Sequence, residues 1–213
     1  MKVLITGSAS GIGLAAAKKF LAEGFTVTGV DVKESPLTHP DYTHIRADIR
    51  GSFPVPEAEI LINSAGTIDE ELAVEVNLLG TMRFTERCIG YPGLRSVLFI
   101  ASASARNGAE FPYYVASKAG LVGYMKNLAL SLAKRGVTVN SISPGGVVTP
   151  MNAHILESGS LYSAVKNETL LGKWAEPSEI AELAYYLTVT NRSMTGEDIL
   201  VDNGEMLKSN FIW

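Results

Sequence analysis

Two groups of residues in this chain have types and spacings suited to chemistry. The first is Thr6-Gly7-Ser8-Ala9-Ser10-Gly11-Ile12-Gly13, which follows the apolar run Val3 to Ile5 directly. Gly7 permits a tight turn, Gly11 removes the Cβ that would hold the backbone away from a pyrophosphate, and Gly13 lets the following helix pack closely. Free N–H groups and the helix dipole then face an anion. The spacing is Gly-x-x-x-Gly-x-Gly rather than the commoner Gly-x-Gly-x-x-Gly, so the context has to support it. Asp31 closes the second apolar run 18 residues beyond Gly13, near the roughly 20-residue spacing of a carboxylate that accepts hydrogen bonds from an adenosine ribose. A carboxylate there repels a 2′-phosphate, and Ser10 rather than Arg or Lys precedes Gly11. NAD(H) is therefore favoured over NADP(H), with Lys33 the residue that opposes the choice.

The second group is Tyr114-Val-Ala-Ser-Lys118, which on a helix sets a phenol and an ammonium on one face, one turn apart. A phenol, with a reference pKa of about 10, is a poor proton shuttle at neutral pH. A fixed neighbouring cation favours its phenolate. Tyr113 is adjacent but has no lysine at the same offset. Taken alone the pair is a weak signal, because such pairs are common on solvated helices.

The elements that must carry these residues follow from hydrophobic patterning. Short β-type runs recur at Val3 to Ile5, Thr26 to Val30, Ile60 to Ile62, Val97 to Ile100, Val137 to Ile142 and Ile199 to Val201. Each is read as being followed by a helical pattern. That alternation predicts a parallel sheet covered on both faces, a doubly wound α/β fold. The first helix is expected from about Ile12 to Glu23, with Ile12, Ala16, Phe20 and Leu21 inward, Lys18, Lys19 and Glu23 outward, and Gly24 as its stop. A second helix is expected from Tyr114 to before Gly136, apolar or small around most of its surface. It lies either against the sheet and a neighbouring subunit, the preferred reading, or wholly inside. Pro54 and Pro56 argue for a loop rather than a crossover helix between Ala47 and Ile60. The mixed segment from Met151 to Lys173 is expected to be a mobile helical lid.

Composition narrows the function class. An apolar fraction of 46% over 213 residues suits one compact domain, spanning 1–213, and 18 basic against 22 acidic residues give a net charge of −4. No five-residue window is dominated by Lys or Arg, so nucleic acid is not an expected partner. The amino-terminal apolar stretch is too short for a signal-peptide core or a membrane span, which gives a cytoplasmic expectation with no membrane partner. The single cysteine, Cys88, fits a reducing compartment and reads as a small buried hydrophobe. His39, His44 and His154 lack metal-ligand spacing, so no metal is expected, and His154 reads as a surface residue. No Gly-x-Ser-x-Gly elbow supports a hydrolase. Phe111, Pro112, Tyr113 and Met151 either line a pocket or simply pack.

In combination, these features resemble the short-chain dehydrogenase/reductase family over nearly the whole chain. Thr6 to Gly13 is similar to its Thr-Gly-x-x-x-Gly-x-Gly, Asp48 to the acidic residue after strand three that contacts adenine together with Ile49, and Asn63-Ser64-Ala65-Gly66 to its Asn-Asn-Ala-Gly. Asn77, Ser102, Tyr114 and Lys118 match its catalytic set. Pro144, Gly145, Val147 and Thr149 resemble the segment that holds the nicotinamide carboxamide. Gly172 to Ile180 (with Trp174, Glu176 and Pro177) and Thr195 to Gly204 resemble its C-terminal pattern.

The resemblance implies a Rossmann-type three-layer αβα domain and hydride transfer between NAD(H) and a small-molecule secondary alcohol or the matching ketone. Tyr114 would be general acid/base, Ser102 would orient the substrate oxygen, and Lys118 would lower the tyrosine pKa and hold the nicotinamide ribose. Asn77 would anchor a water leading from Lys118 to solvent. Cofactor contacts are implied for Gly7, Ser10, Gly11, Ile12, Gly13, Asp31, Asp48, Ile49, Asn63, Ala65, Gly66, Tyr114, Lys118, Pro144, Gly145, Val147 and Thr149. Ser104 can replace Ser102, because this region is a residue short, and Asn77 can be a helix-kinking residue only. The chain is also short after Asp48 and between Gly66 and Asn77, which thins the adenine flank.

A homo-oligomer, tetramer or dimer, is implied along Asn77 to Cys88 and Tyr114 to Arg135. Phe211, Ile212 and Trp213 suggest a buried C-terminus. The alternatives are a sensor that binds NAD without turnover and a ketoreductase of acyl thioesters.

Overall fold

The computed structural model describes residues 1–109 and 111–208; the expectation for Phe211, Ile212 and Trp213 lies outside them. Its seven strands are β1 (Lys2–Thr6), β2 (Thr26–Asp31), β3 (Tyr42–Arg46), β4 (Ile60–Asn63), β5 (Ser96–Ile100), β6 (Thr138–Pro144) and β7 (Asp198–Val201). They form one sheet in the order β3-β2-β1-β4-β5-β6-β7. Every pairing is parallel. The chain order reverses between β1 and β4, so their carboxyl ends diverge into a crevice, the usual ligand position in such sheets.

The apolar runs are continuous because successive residues serve opposite faces. Val3, Ile5, Ile60, Ile62, Leu98 and Ile100 join one core with Phe20 and Ile180. Leu4, Leu61, Val97 and Phe99 join the other with Phe84, Leu121 and Met125. The first core is closed by α1 (Gly11–Ala22), and the second by α2 (Thr81–Cys88), which continues from a wide π-type turn at Val74–Gly80. After β5 come a single helical turn, α3 (Ser104–Asn107), and then α4 (Pro112–Leu132) on the second core. The segment after β6 carries α5 (Ala153–Leu156) and α6 (Gly159–Asn167), and α7 (Pro177–Tyr185) packs beside α1. Phe20, Phe25 and Tyr185 lock α1 to α7 through ring contacts with centroids 5.3–6.0 Å apart.

Two sequence expectations need correction. Strand β3 was absent from the apolar runs: as an edge strand it is only partly buried, and Tyr42-Thr43-His44-Ile45-Arg46 reads as polar. The segments on either side of it hold no helix. The one before it therefore departs from the strand–helix alternation, while the one after it, with Pro54 and Pro56, is the expected loop. Of the two readings of the second helix, the wholly internal one is excluded, because α4 is not covered all round within the chain. Tyr114, Ser117, Lys118, Leu121, Met125 and Leu128 are buried, whereas Ala116, Ala119 and Gly123 are exposed and Leu130 is 79% exposed.

Cys88, on α2, is half-buried and donates to the Phe84 carbonyl at 3.2 Å. Burial pushes its thiol up to about 12, against a smaller opposing effect of the Arg87 charge. The thiolate is the reactive species, so alkylation of Cys88 at pH 8 is expected to be at least about tenfold slower in the folded protein than in urea. Equal rates, read by mass spectrometry, would show the thiol to be accessible and ionised.

Candidate active site

The crevice is a cleft of about 820 Å³ at the carboxyl ends of the strands, within the range of small-molecule sites. Of the residues singled out in the sequence, Gly7, Ser10, Gly11, Ile12, Asp31, Asp48, Ile49, Ala65, Gly66, Ser102, Tyr114, Lys118, Pro144, Gly145, Val147 and Thr149 border it. Lys33 and Met151 border it too. Phe111, Pro112, Tyr113 and His154 are not among its lining residues, and Phe111 and Tyr113 are exposed.

Glycine is required in the first loop for steric reasons. Gly7 has φ +68°, and a Cβ there would fall 2.8 Å from the backbone of Ser64 and Ala65. This close approach joins the loop after β1 to that after β4, as do the Ser64 and Ala65 N–H groups donating to Thr6 Oγ1 at 3.1 Å. Gly13 does not border the cleft. A Cβ there would lie 2.1 Å from the Gly7 carbonyl oxygen, so Gly13 shapes the loop by packing. Asn63 is likewise buried at the end of β4 and outside the lining, and its side-chain atoms find no partner among the described residues.

Asp31 accepts from the Ala9 N–H and the Lys33 N–H, each at 2.9 Å, which fixes its carboxylate between the glycine loop and the end of β2. Asp48 faces the cleft with a partner that sequence reading missed. Arg50 donates from Nη2 at 2.6 Å and from Nε at 3.1 Å, and its guanidinium holds the Asp48 carboxyl below the usual carboxylate range. Arg50 also borders the cleft, so a neutralised pair rather than a lone carboxylate stands at this thinned flank.

At the other end, Tyr114 and Lys118 are both buried on α4. Lys118 Nζ donates to the Ile100 carbonyl at 2.9 Å and lies 5.7 Å from the Tyr114 ring centroid. A second missed residue sets the start of that helix. Glu70 accepts from the N–H groups of Tyr113 and Tyr114 at 3.0 Å each, satisfying donors that a helix start leaves open. No local pattern announces a partner more than forty residues away.

Asn77 sits inside the π-type turn, fully buried and outside the cleft lining. It accepts from Thr67 N–H at 2.8 Å and donates to the Thr67 carbonyl at 2.9 Å and to Ser117 Oγ at 3.1 Å. It therefore ties the Gly66–Thr67 loop to α4. Ser102 borders the cleft, while Ser104 is buried behind it and donates to Ser102 Oγ at 2.9 Å. Of the two serines that the sequence left open, Ser102 is the one among the lining residues.

The residues present fit a dinucleotide: a loop whose missing Cβ atoms leave room for backbone approach, a carboxylate at the end of β2, and a phenol beside an ammonium at the far end. Among the described residues, no three His, Cys, Asp or Glu side chains are grouped to hold a metal, and no helix is long and apolar enough to cross a membrane.

Comparison with known proteins agrees with this layout. Residues 1–53 match the family model described as short chain dehydrogenase, and residues 57–205 match the model described as enoyl-(acyl carrier protein) reductase. An uncharacterized short-chain type dehydrogenase/reductase of Sinorhizobium fredii is 31% identical over 96% of this chain, which spans 43% of that relative's length. A mitochondrial borneol dehydrogenase of Lavandula x intermedia is 30% identical over 94% of this chain and 88% of its own. Among solved structures, 4-hydroxyisoleucine dehydrogenase in complex with NADH superposes with a TM-score of 0.85 at 27% identity, covering 98% of this chain and 99% of that one. The ligand-free aldohexose dehydrogenase of Thermoplasma acidophilum, at 24% identity, bears on the fold alone, with a TM-score of 0.89 over 100% of this chain and 96% of its own. With motif order, sheet topology and a family model over more than half its length in agreement, the chain belongs to the short-chain dehydrogenase/reductase family.

Proposed function

We propose that the protein is an NAD(H)-dependent oxidoreductase that interconverts a secondary alcohol and its ketone. The observation that carries this is the placing of Ser102, Tyr114 and Lys118 along one cleft with the glycine loop and Asp31. In oxidation, Tyr114 takes the hydroxyl proton and Ser102 holds the substrate oxygen by hydrogen bonding. In reduction, Tyr114 returns the proton and Ser102 stabilises the charge on that oxygen. Lys118, held at Ile100, keeps positive charge beside the phenol. When bound, the nicotinamide accepts or returns the two electrons as hydride, so alcohol and NAD⁺ give ketone, NADH and one proton.

Asn77 serves this site by fixing the loop that carries Gly66 against α4. The exposed Ala116, Ala119 and Leu130 face of α4 supports a homo-oligomer as part of the same proposal. A cytoplasmic enzyme with α5 and α6 as substrate lid completes the reading.

The cofactor choice is tested at Asp31. Asp31→Asn keeps an acceptor for the Ala9 N–H but removes the charge. The ratio of NADPH to NADH dissociation constants is expected to fall by about tenfold, read by fluorescence titration. An unchanged ratio would remove Asp31 as the ribose-selecting residue.

A further inference from the structure

The two serines after β5 form a unit whose geometry goes further than the sequence alternative between them. Ser102 Oγ receives two hydrogen bonds from Ser104: one from its hydroxyl at 2.9 Å and one from its backbone N–H at 3.2 Å. A hydroxyl has two acceptor lone pairs and one proton. With both acceptor positions taken, Ser102 keeps a single polar capacity, its own O–H. Ser102 borders the cleft that Tyr114 and Lys118 border; Ser104, 4% exposed, does not.

The turn that holds Ser104 is itself fastened. Ser104 opens α3, and Arg106 within that turn donates from Nε to Asp198 Oδ2 at 2.9 Å, with a second guanidinium contact at 2.8 Å. Asp198 opens β7, and its other oxygen accepts from Ser141 Oγ and Ser143 Oγ of β6 at 2.7 Å each. One carboxylate thus binds α3 to two neighbouring strands. A single helical turn has little stability of its own, so this clamp, with the Ala103 N–H donating to the Pro144 carbonyl at 2.8 Å, fastens the turn that carries Ser104.

We propose that Ser104 is a positioning residue: by filling both acceptor sites of Ser102 Oγ, it aims the Ser102 hydroxyl proton into the cleft, at the oxygen of the reacting alcohol or ketone. Arg106 and Asp198 hold the turn that makes this possible. The inference rests on the proposed reaction and adds a role that Ser102 does not fill by itself. A serine hydroxyl that rotates freely spends part of its time donating to Ser104 or to water. A fixed one is preorganised for the developing oxyanion, and preorganisation is what electrostatic stabilisation depends on.

The test is a double-mutant cycle with Ser102→Ala, Ser104→Ala and the pair, each checked for folding by melting temperature and NADH binding. Ser104→Ala is expected to lower kcat by about tenfold, the scale of one aligned hydrogen bond, with little change in KM. In the Ser102→Ala background the same change is expected to cost nothing further, because its target is gone. Ser104→Thr, which restores a hydroxyl, is expected to recover turnover, while Arg106→Gln shows the same kcat defect as Ser104→Ala. An equal cost of Ser104→Ala in both backgrounds, or unchanged kcat, would overturn the inference while leaving the reaction in place. A Ser102→Ala enzyme with full turnover would instead overturn the proposed role of Ser102 itself.

Discussion

Replacing Tyr114 with Phe is expected to reduce turnover by about 10²–10⁴-fold, the usual worth of a positioned general acid/base. NADH affinity is expected to stay within about twofold. The change removes one oxygen from a buried ring and leaves the ring's packing in place. Lys118 keeps its bond to Ile100, and the α4 start keeps its Glu70 cap, which uses backbone N–H groups and not the phenol. Single-turnover absorbance of bound NADH separates the two quantities. Turnover retained in the Phe variant would move proton transfer to another group, and lost NADH binding would make the phenol oxygen a binding group.

The second large effect is expected at Gly13. A Cβ 2.1 Å from the Gly7 carbonyl oxygen meets backbone, which cannot rotate away as a side chain would. Either α1 moves off the sheet or the loop changes shape. Gly13→Ala should cost about 1–3 kcal/mol of stability, as overpacking does, and should weaken NADH binding by more than about tenfold, because the loop is fixed on both sides by β2 and β4 contacts. Gly159→Ala is the control. Its Cβ meets nothing within 4 Å, so the melting temperature should hold or rise. If both variants melt alike, the close approach at Gly13 is not structural.

Sequence legibility followed the number of faces an element buries. Central strands such as β4 and β5, buried at every position, appear as unbroken apolar runs, and the glycine loop appears because only glycine fits its contacts. Edge strand β3, half-covered and carrying Thr43, His44 and Arg46, gave no such run. In the cleft, the residues that border it through a motif were legible: Asp31 by its offset from Gly13, Lys118 by its turn from Tyr114. Those that act through distant partners were not. Glu70 caps a helix far along the chain, and Arg50 neutralises Asp48 across a two-residue step that is common in surface loops. Gly13 and Asn63 mark the converse limit, since both belong to the motifs yet lie outside the lining of the cleft.

The central claim, a cleft that binds NAD(H) and turns it over on a secondary alcohol or ketone, is tested most directly in one cuvette. The purified protein is titrated with NADH and NADPH by fluorescence, then given a panel of ketones and secondary alcohols while the nicotinamide absorbance is followed. NADH binding tighter than NADPH, with turnover of at least one panel member that is lost in the Tyr114→Phe variant, is the expected result. Tight NADH binding without turnover across a broad panel would contradict it and identify a binding protein built on the same fold.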